Sequence, residues 1–238
     1  MDKMDLILLP GMDGTGKFFK PLLESLDAQF SPQVIAYPEE SPLGYEDLLQ
    51  IILQQLPREN PYIVLGESFS GPLALMAAAT NPPNLKGVVL VATFVQSPMP
   101  PVLNFLGKLI PAPFLSLRPR KYLLNWLLND NCQENIKDWV LKDLPELRND
   151  VLKARMRTIL KVDVTEELVA CPVPIQYIAA SEDKIVGEEN LELIRSLRGD
   201  IKVEVLNGPH IILQCQPLEA SRAISSFVKE TFKNTSPR

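Results

Sequence analysis

The stretch "YIVLGESFSG" (62–71) sets a serine among small residues, directly after an apolar run and directly before a helix-like one. A strand that turns at once into a helix leaves little room, and Gly66, Ser70 and Gly71 keep the neighbours small. Ser68 is then held above the sheet edge, with unpaired N–H groups of the helix start facing it. A hydroxyl so placed becomes a nucleophile once a base takes its proton. The chain has one histidine, His210, in "VLNGPHIILQC", between the last strand-like run and the last helix. A histidine base works best with a carboxylate behind it. Asp183, in "SEDK" (181–184), follows another strand-like run, with Glu182 as its rival. Singly, each has an ordinary explanation, since serines cap helices and acidic residues fill turns. Together they stand in the order serine, acid, histidine, each past the end of a predicted strand, and that points to acyl transfer.

Acyl transfer also needs donors for the oxygen that gains charge. The N–H of Phe69, next to the serine, is one candidate. The other belongs in the loop after an early strand, "LLPGMDGTG" (8–16), where the Met12 N–H is the best placed. This glycine-rich loop departs from phosphate-binding patterns. It has no GxGxxG, and Phe18 stands where GxxxxGK[ST] requires a hydroxyl.

The elements that must hold these residues alternate. Short apolar runs at 6–10, 33–39, 62–66 and 87–93 are separated by helical patterns at 17–26, 45–56 and 69–80. Runs apolar on both faces, separated by helices, predict a parallel sheet covered on two sides. The rhythm breaks after Thr93 and resumes with strand-like runs at 173–181 and 201–206 and helices at 187–197 and 218–232. The run "IKVEVL" alternates, as a strand near an edge does. Between lie loops at "QSPMPPV" and "IPAPFLSLRP" and helices over 119–130, 132–144 and 145–161, a helical insertion.

With these pieces in place, "LLPGMDGTG" together with "GESFSG" resembles the α/β-hydrolase superfamily, and within it small esterases, thioesterases and plastid phytyl-ester and diacylglycerol acyltransferases. The resemblance implies a mostly parallel central sheet covered by helices. It implies a core at 1–93 and 171–238 and a helical cap at 94–170. It implies Ser68 as nucleophile, Asp183 as acid, His210 as base, and Met12 and Phe69 as oxyanion-hole donors. Two positions depart from the family pattern. Ser70 replaces the second glycine of G-x-S-x-G and is read as tolerated with some strain. Pro10 replaces the histidine before Gly11 and cannot donate a bond, so bracing of that loop is expected from Asp13 or Thr15.

The first part of the insertion is apolar and suits a pocket for a hydrophobic acyl group, lined by Phe94, Met99, Leu103, Phe105, Leu106, Leu109 and Phe114. The expected substrate is a small hydrophobic ester or thioester, cleaved through an acyl-serine. Alternatives are acyl transfer to an alcohol and a noncatalytic binding protein of the same fold. Cofactor and metal are both expected to be absent. A net charge of -5 gives no support to nucleic-acid binding. No apolar segment reaches the length of a membrane span, although peripheral lipid contact fits the apolar stretch. The N-terminal run is short for a signal peptide. Cys132, Cys171 and Cys215 are far apart and odd in number, which argues against a disulfide scaffold. A reducing, cytoplasmic setting is expected.

Overall fold

The computed structural model describes residues 3–98, 132–143 and 147–233. The helix expected over 119–130, the loop at "IPAPFLSLRP" and the pocket residues Met99, Leu103, Phe105, Leu106, Leu109 and Phe114 lie outside the described residues.

Six strands form one sheet: β1 (Met4–Leu9), β2 (Phe30–Val34), β3 (Tyr62–Glu67), β4 (Leu85–Val91), β5 (Ile175–Ala180) and β6 (Lys202–Leu206). Their order is β2-β1-β3-β4-β5-β6, and every pairing is parallel. Alternation along the strands feeds two cores. Ile7, Leu9, Val64, Val88 and Leu90 join one buried cluster. Leu6, Leu8, Ile63, Leu65, Val89 and Val91 join the other. Both faces are therefore apolar, as a sheet covered on both sides requires.

The first cluster takes the buried sides of α2 (Tyr45–Gln55) and α3 (Gly71–Ala79). The second takes those of α1 (Lys20–Ser25) and the C-terminal helix. Helices α4 (Glu134–Asp143) and α5 (Asn149–Ile159) fall within the two cap helices read at 132–144 and 145–161. A short α6 (Thr165–Ala170) follows, preceded by Asp163, whose Oδ1 accepts the Thr165 N–H at 3.1 Å. Then come α7 (Glu188–Leu197), α8 (Ile212–Cys215) and α9 (Pro217–Lys233). The chain just after β4 meets the chain just before α6, since Gln96 and Asp163 form an antiparallel bridge and the Val164 N–H donates to the Val95 carbonyl at 2.8 Å.

Three sequence readings need correction. The second strand begins at Phe30 rather than near Gln33. It is an edge strand, which accommodates Pro32 and leaves only its first residue fully buried. The apolar signal at Ile35 and Tyr37 comes from the buried loop that follows it. Helices α6 and α8 carry no sequence signal, being too short for a helical period to register. The cysteine reading also fails. Cys132 and Cys215 are disulfide-bonded across 83 residues of sequence, their Cα atoms 5.0 Å apart, while Cys171 is free and buried. Sequence separation says nothing of spatial approach, and α8 carries Cys215 to the start of the α4 segment. Closing such a loop typically stabilises a fold by about 2–4 kcal/mol.

Candidate active site

In an open parallel sheet, sites form beyond the carboxyl ends of the strands where the strand order reverses. Here that point lies between β1 and β3, because the chain steps from β1 to β2 on one side and returns to β3 on the other. The loops leaving β1 and β3 are the ones that carry Met12 and Ser68.

Ser68 opens a 3-10 turn (Ser68–Ser70) between β3 and α3, with φ of 49°, a left-handed conformation rare outside glycine. Its surroundings leave no room to relax. A Cβ on Gly66 would strike the Ser70 carbonyl, and one on Gly71 would strike the Thr93 side chain. Thr93 Oγ1 donates to the Ser68 carbonyl at 2.5 Å, and Tyr45 Oη donates to the Phe69 carbonyl at 2.7 Å.

The histidine and acid loops are laced together beside this turn. The Ser181 N–H donates to the Leu206 carbonyl at 2.9 Å and the Glu182 N–H to the Gly208 carbonyl at 3.0 Å. His210 is 9% exposed; its Nε2 lies 2.8 Å from Ser68 Oγ and its Nδ1 lies 2.7 Å from Asp183 Oδ2. The other Asp183 oxygen, Oδ1, accepts the Ile185 and Val186 N–H groups, each at 2.8 Å. Of the acidic residues in this stretch, Asp183 is the one that meets the imidazole. With Nδ1–H donated to Asp183, Nε2 presents its lone pair to the Ser68 hydroxyl, an arrangement able to take up a hydroxyl proton.

Met12 lies in the loop after β1, and Phe69 follows Ser68 with its side chain fully buried. Asp13 Oδ2 accepts from the Thr15 N–H at 2.9 Å and from Thr15 Oγ1 at 2.6 Å, so this pair stiffens the loop internally. Ser70 has a part that its reading as a tolerated substitute missed. Fully buried, its Oγ donates to the Pro10 carbonyl and lies 2.5 Å from Tyr37 Oη. Pro10 offers only an acceptor, so the Tyr37 hydroxyl must be the donor to Ser70. Burial pushes the Tyr37 phenol well above its usual range, which keeps that proton in place. Phe94 is buried within the cluster that also holds Phe69, Val162 and Val164. A groove of about 520 Å³ runs between Ser25–Ala28 and α9, lined in part by Ser221, Arg222 and Lys229. It includes none of Ser68, Asp183 and His210, so it is separate from this site.

Glu67, one residue before Ser68, is buried and points to α8, where Gln214 Nε2 donates to its Oε1 at 3.0 Å. Burial raises its pKa from 4.5 to about 7, opposed by the Gln214 hydrogen bond. The folded state therefore holds a proton between those values that the unfolded chain releases. The stability tied to it is complete below the lower value and is lost as pH rises through the upper one. Glu67→Gln imitates the protonated form. It is expected to stabilise the fold at pH 8 by on the order of 3 kcal/mol, several degrees in Tm, with the gain vanishing toward pH 4.5. Thermal unfolding of both proteins from pH 4.5 to 8 measures this, and a pH-independent gap would refute the assignment.

The fold is that of the α/β hydrolases. The chain belongs to the family described as Serine aminopeptidase, S33, which matches residues 44–209. Among curated proteins it is similar to phytyl ester synthase 1, chloroplastic, of Arabidopsis thaliana, with 31% identity over 138 residues. That match takes in 54% of this chain but 19% of the relative, so the chain spans only a small part of that protein's length. It is also similar to a pimeloyl-[acyl-carrier protein] methyl ester esterase of Stenotrophomonas maltophilia, 24% identical, with 94% of this chain and 92% of that one covered. Among solved structures, a lipase-esterase related protein from Clostridium acetobutylicum superposes with a TM-score of 0.79 at 14% identity, covering 95% of each chain. MenH from S. aureus superposes with a TM-score of 0.78 at 15% identity, covering 97% of this chain and 95% of that one.

Proposed function

We propose that the protein is a serine hydrolase that cleaves a carboxylic ester or thioester of a hydrophobic acyl group through an acyl-serine. The observation that carries this reading is the hydrogen-bonded chain from Asp183 through His210 to Ser68. Ser68 Oγ attacks the substrate carbonyl carbon while His210 Nε2 takes the hydroxyl proton. The carbonyl electron pair moves to oxygen, which the Met12 and Phe69 N–H groups stabilise. Asp183 balances the imidazolium and fixes its orientation. As the tetrahedral intermediate collapses, the proton passes to the leaving alcohol or thiol. Water then attacks the acyl carbon while His210 takes its proton, and collapse of the second intermediate releases the carboxylic acid as His210 returns that proton to Ser68 Oγ.

Similarity to a methyl ester esterase along nearly its whole length, and to part of an ester synthase, favours carboxylic acyl chemistry. The synthase favours a second reading as well, in which an alcohol replaces water in the last step. The two share the acyl-serine and differ in its acceptor, so the yield of ester against acid in the presence of a long-chain alcohol separates them.

The direct test is intact-mass labelling with an alkyl fluorophosphonate, which should add one adduct at Ser68, together with hydrolysis of p-nitrophenyl esters and acyl thioesters of graded length. The apolar stretch at 94–114 holds a single charged residue, Lys108, and underlies the expected preference. Each methylene buried contributes about 0.8 kcal/mol, roughly fourfold. Accordingly kcat/KM should rise from C2 to at least C6. Replacement of Phe105 or Phe114 by alanine should alter that profile more than it alters kcat on acetate esters. A flat or falling profile defeats the hydrophobic-acyl preference and leaves the serine chemistry to stand on the labelling.

A further inference from the structure

Helix α5 buries Val151, Arg155 and Ile159, a stripe at four-residue spacing. An aliphatic residue would complete such a stripe; here a guanidinium does, at 1% exposure. Burying a charge is unfavourable unless it is well hydrogen-bonded. Arg155 Nη1 donates to the Met12 carbonyl at 2.7 Å and Nη2 to the Pro38 carbonyl at 3.2 Å. The ring of Tyr37 lies under the guanidinium at 5.9 Å. One planar fork thus reaches from the cap segment to the loops that follow β1 and β2.

We infer that Arg155 is a positioning residue for the oxyanion hole, acting through Met12, and the inference rests on the serine-hydrolase reading above. The donor is the N–H of the peptide joining Gly11 to Met12. A trans peptide points its C=O and N–H in opposite directions, so fixing one fixes the other. The Gly11 carbonyl accepts the Gly14 N–H at 3.0 Å. The carbonyl before it, Pro10, is held by Ser70, and the one after it, Met12, by Arg155. Three successive carbonyls therefore have fixed partners, and the Met12 N–H between them has one direction left. Gly14 is bound into the same device. Its φ is 72°, and a Cβ there would come within 2.6 Å of the Arg155 guanidinium. Without the arginine, the Met12 carbonyl loses its charge-assisted donor and the Gly11–Gly14 turn that fixes the donor peptide loses its brace, so the Met12 N–H can shift away from the developing charge.

The test compares the parent, Arg155→Lys, Arg155→Met and Arg155→Ala in ester hydrolysis, with kcat expressed per active site titrated by fluorophosphonate. An alkyl trifluoromethyl ketone, which forms a hemiketal oxyanion on a nucleophilic serine, reports the hole itself. A misplaced donor costs about 10²-fold. Arg155→Met should lose about that in kcat, with KM changed by less than about twofold, and the ketone Ki should rise in parallel. Arg155→Lys should fall between it and the parent, and added guanidinium ion should restore part of the kcat of Arg155→Ala. A merely structural arginine predicts fewer titratable sites and a lower Tm, with normal kcat and Ki per remaining site; that result overturns the inference. Should Arg155→Met fail to fold, Gly14→Ala presses on the guanidinium from the other side and is expected to shift kcat and Ki together. If it lowers Tm but leaves both unchanged, the inference again falls. A parent that neither hydrolyses esters nor labels at Ser68 overturns the hydrolase reading itself.

Discussion

Ser68→Ala is expected to fold as the parent does and to lose about 10⁴–10⁶-fold in kcat on any ester the parent hydrolyses. The change removes one oxygen and nothing that holds the turn. Gly66, Gly71 and the Thr93 bond to the Ser68 carbonyl all remain, because they act on the backbone. Alanine at a φ of 49° carries the same strain that serine already bears. The midpoint of unfolding should therefore move by no more than a few degrees. His210 loses a partner, but it keeps Asp183. The neighbouring hydroxyl cannot substitute, since Ser70 is fully buried, gives its proton to Pro10, and is held by Tyr37 rather than by a base. Kinetics on purified proteins, with fluorophosphonate labelling followed by peptide mapping, check both parts. Parental kcat in the alanine variant, or an adduct mapped to any other residue, would remove Ser68 from the mechanism.

The parts legible in the sequence were those governed by local rules. A five- or six-residue apolar run, a glycine, a serine and a helix of small residues have few ways to fold, and β3, the Ser68 turn and α3 follow them closely. The same applies to Asp183 and His210, each just past a strand, since the parallel order of β3, β4, β5 and β6 brings their loops to one edge. Three side chains that are 142 and 27 residues apart in sequence then form one hydrogen-bonded chain. What local rules do not reach is long-range partnership. Ser70 could be read only as a small residue, because Pro10 is 60 residues away. Arg155 carried a readable anomaly, a charge in the middle of an apolar stripe, but nothing in α5 indicates Met12, 143 residues earlier. The disulfide belongs to the same class, as does the buried Glu67 with its partner on α8. The β2 error has a different origin. Ile35 and Tyr37 are buried by the loop after the strand, and apolar content alone does not separate a strand from a buried loop.

Asp183→Asn is the sharper test of the mechanism, because it changes a proton's position while keeping nearly every atom in place. The asparagine carbonyl can replace Oδ1 as acceptor for the Ile185 and Val186 N–H groups. Those two bonds then fix the amide, and its NH₂ faces His210 Nδ1 where Oδ2 stood. An NH₂ group only donates, so Nδ1 must become the acceptor and the ring proton moves to Nε2. Nε2–H then points at Ser68 Oγ and cannot take its proton. A wrong tautomer of this kind lowers kcat by about 10⁴-fold, with stability nearly unchanged. Asp183→Ala differs in kind, since it also leaves two backbone N–H groups without their acceptor, and it should lose stability as well as activity. His210 is the chain's single histidine, so its imidazole ¹⁵N resonances need no assignment. In the neutral imidazole of the parent they should show the proton on Nδ1; in that of the asparagine variant, on Nε2. An asparagine variant within tenfold of the parent, or one whose ring proton stays on Nδ1, would show that Asp183 does not set the tautomer on which the Ser68 chemistry depends.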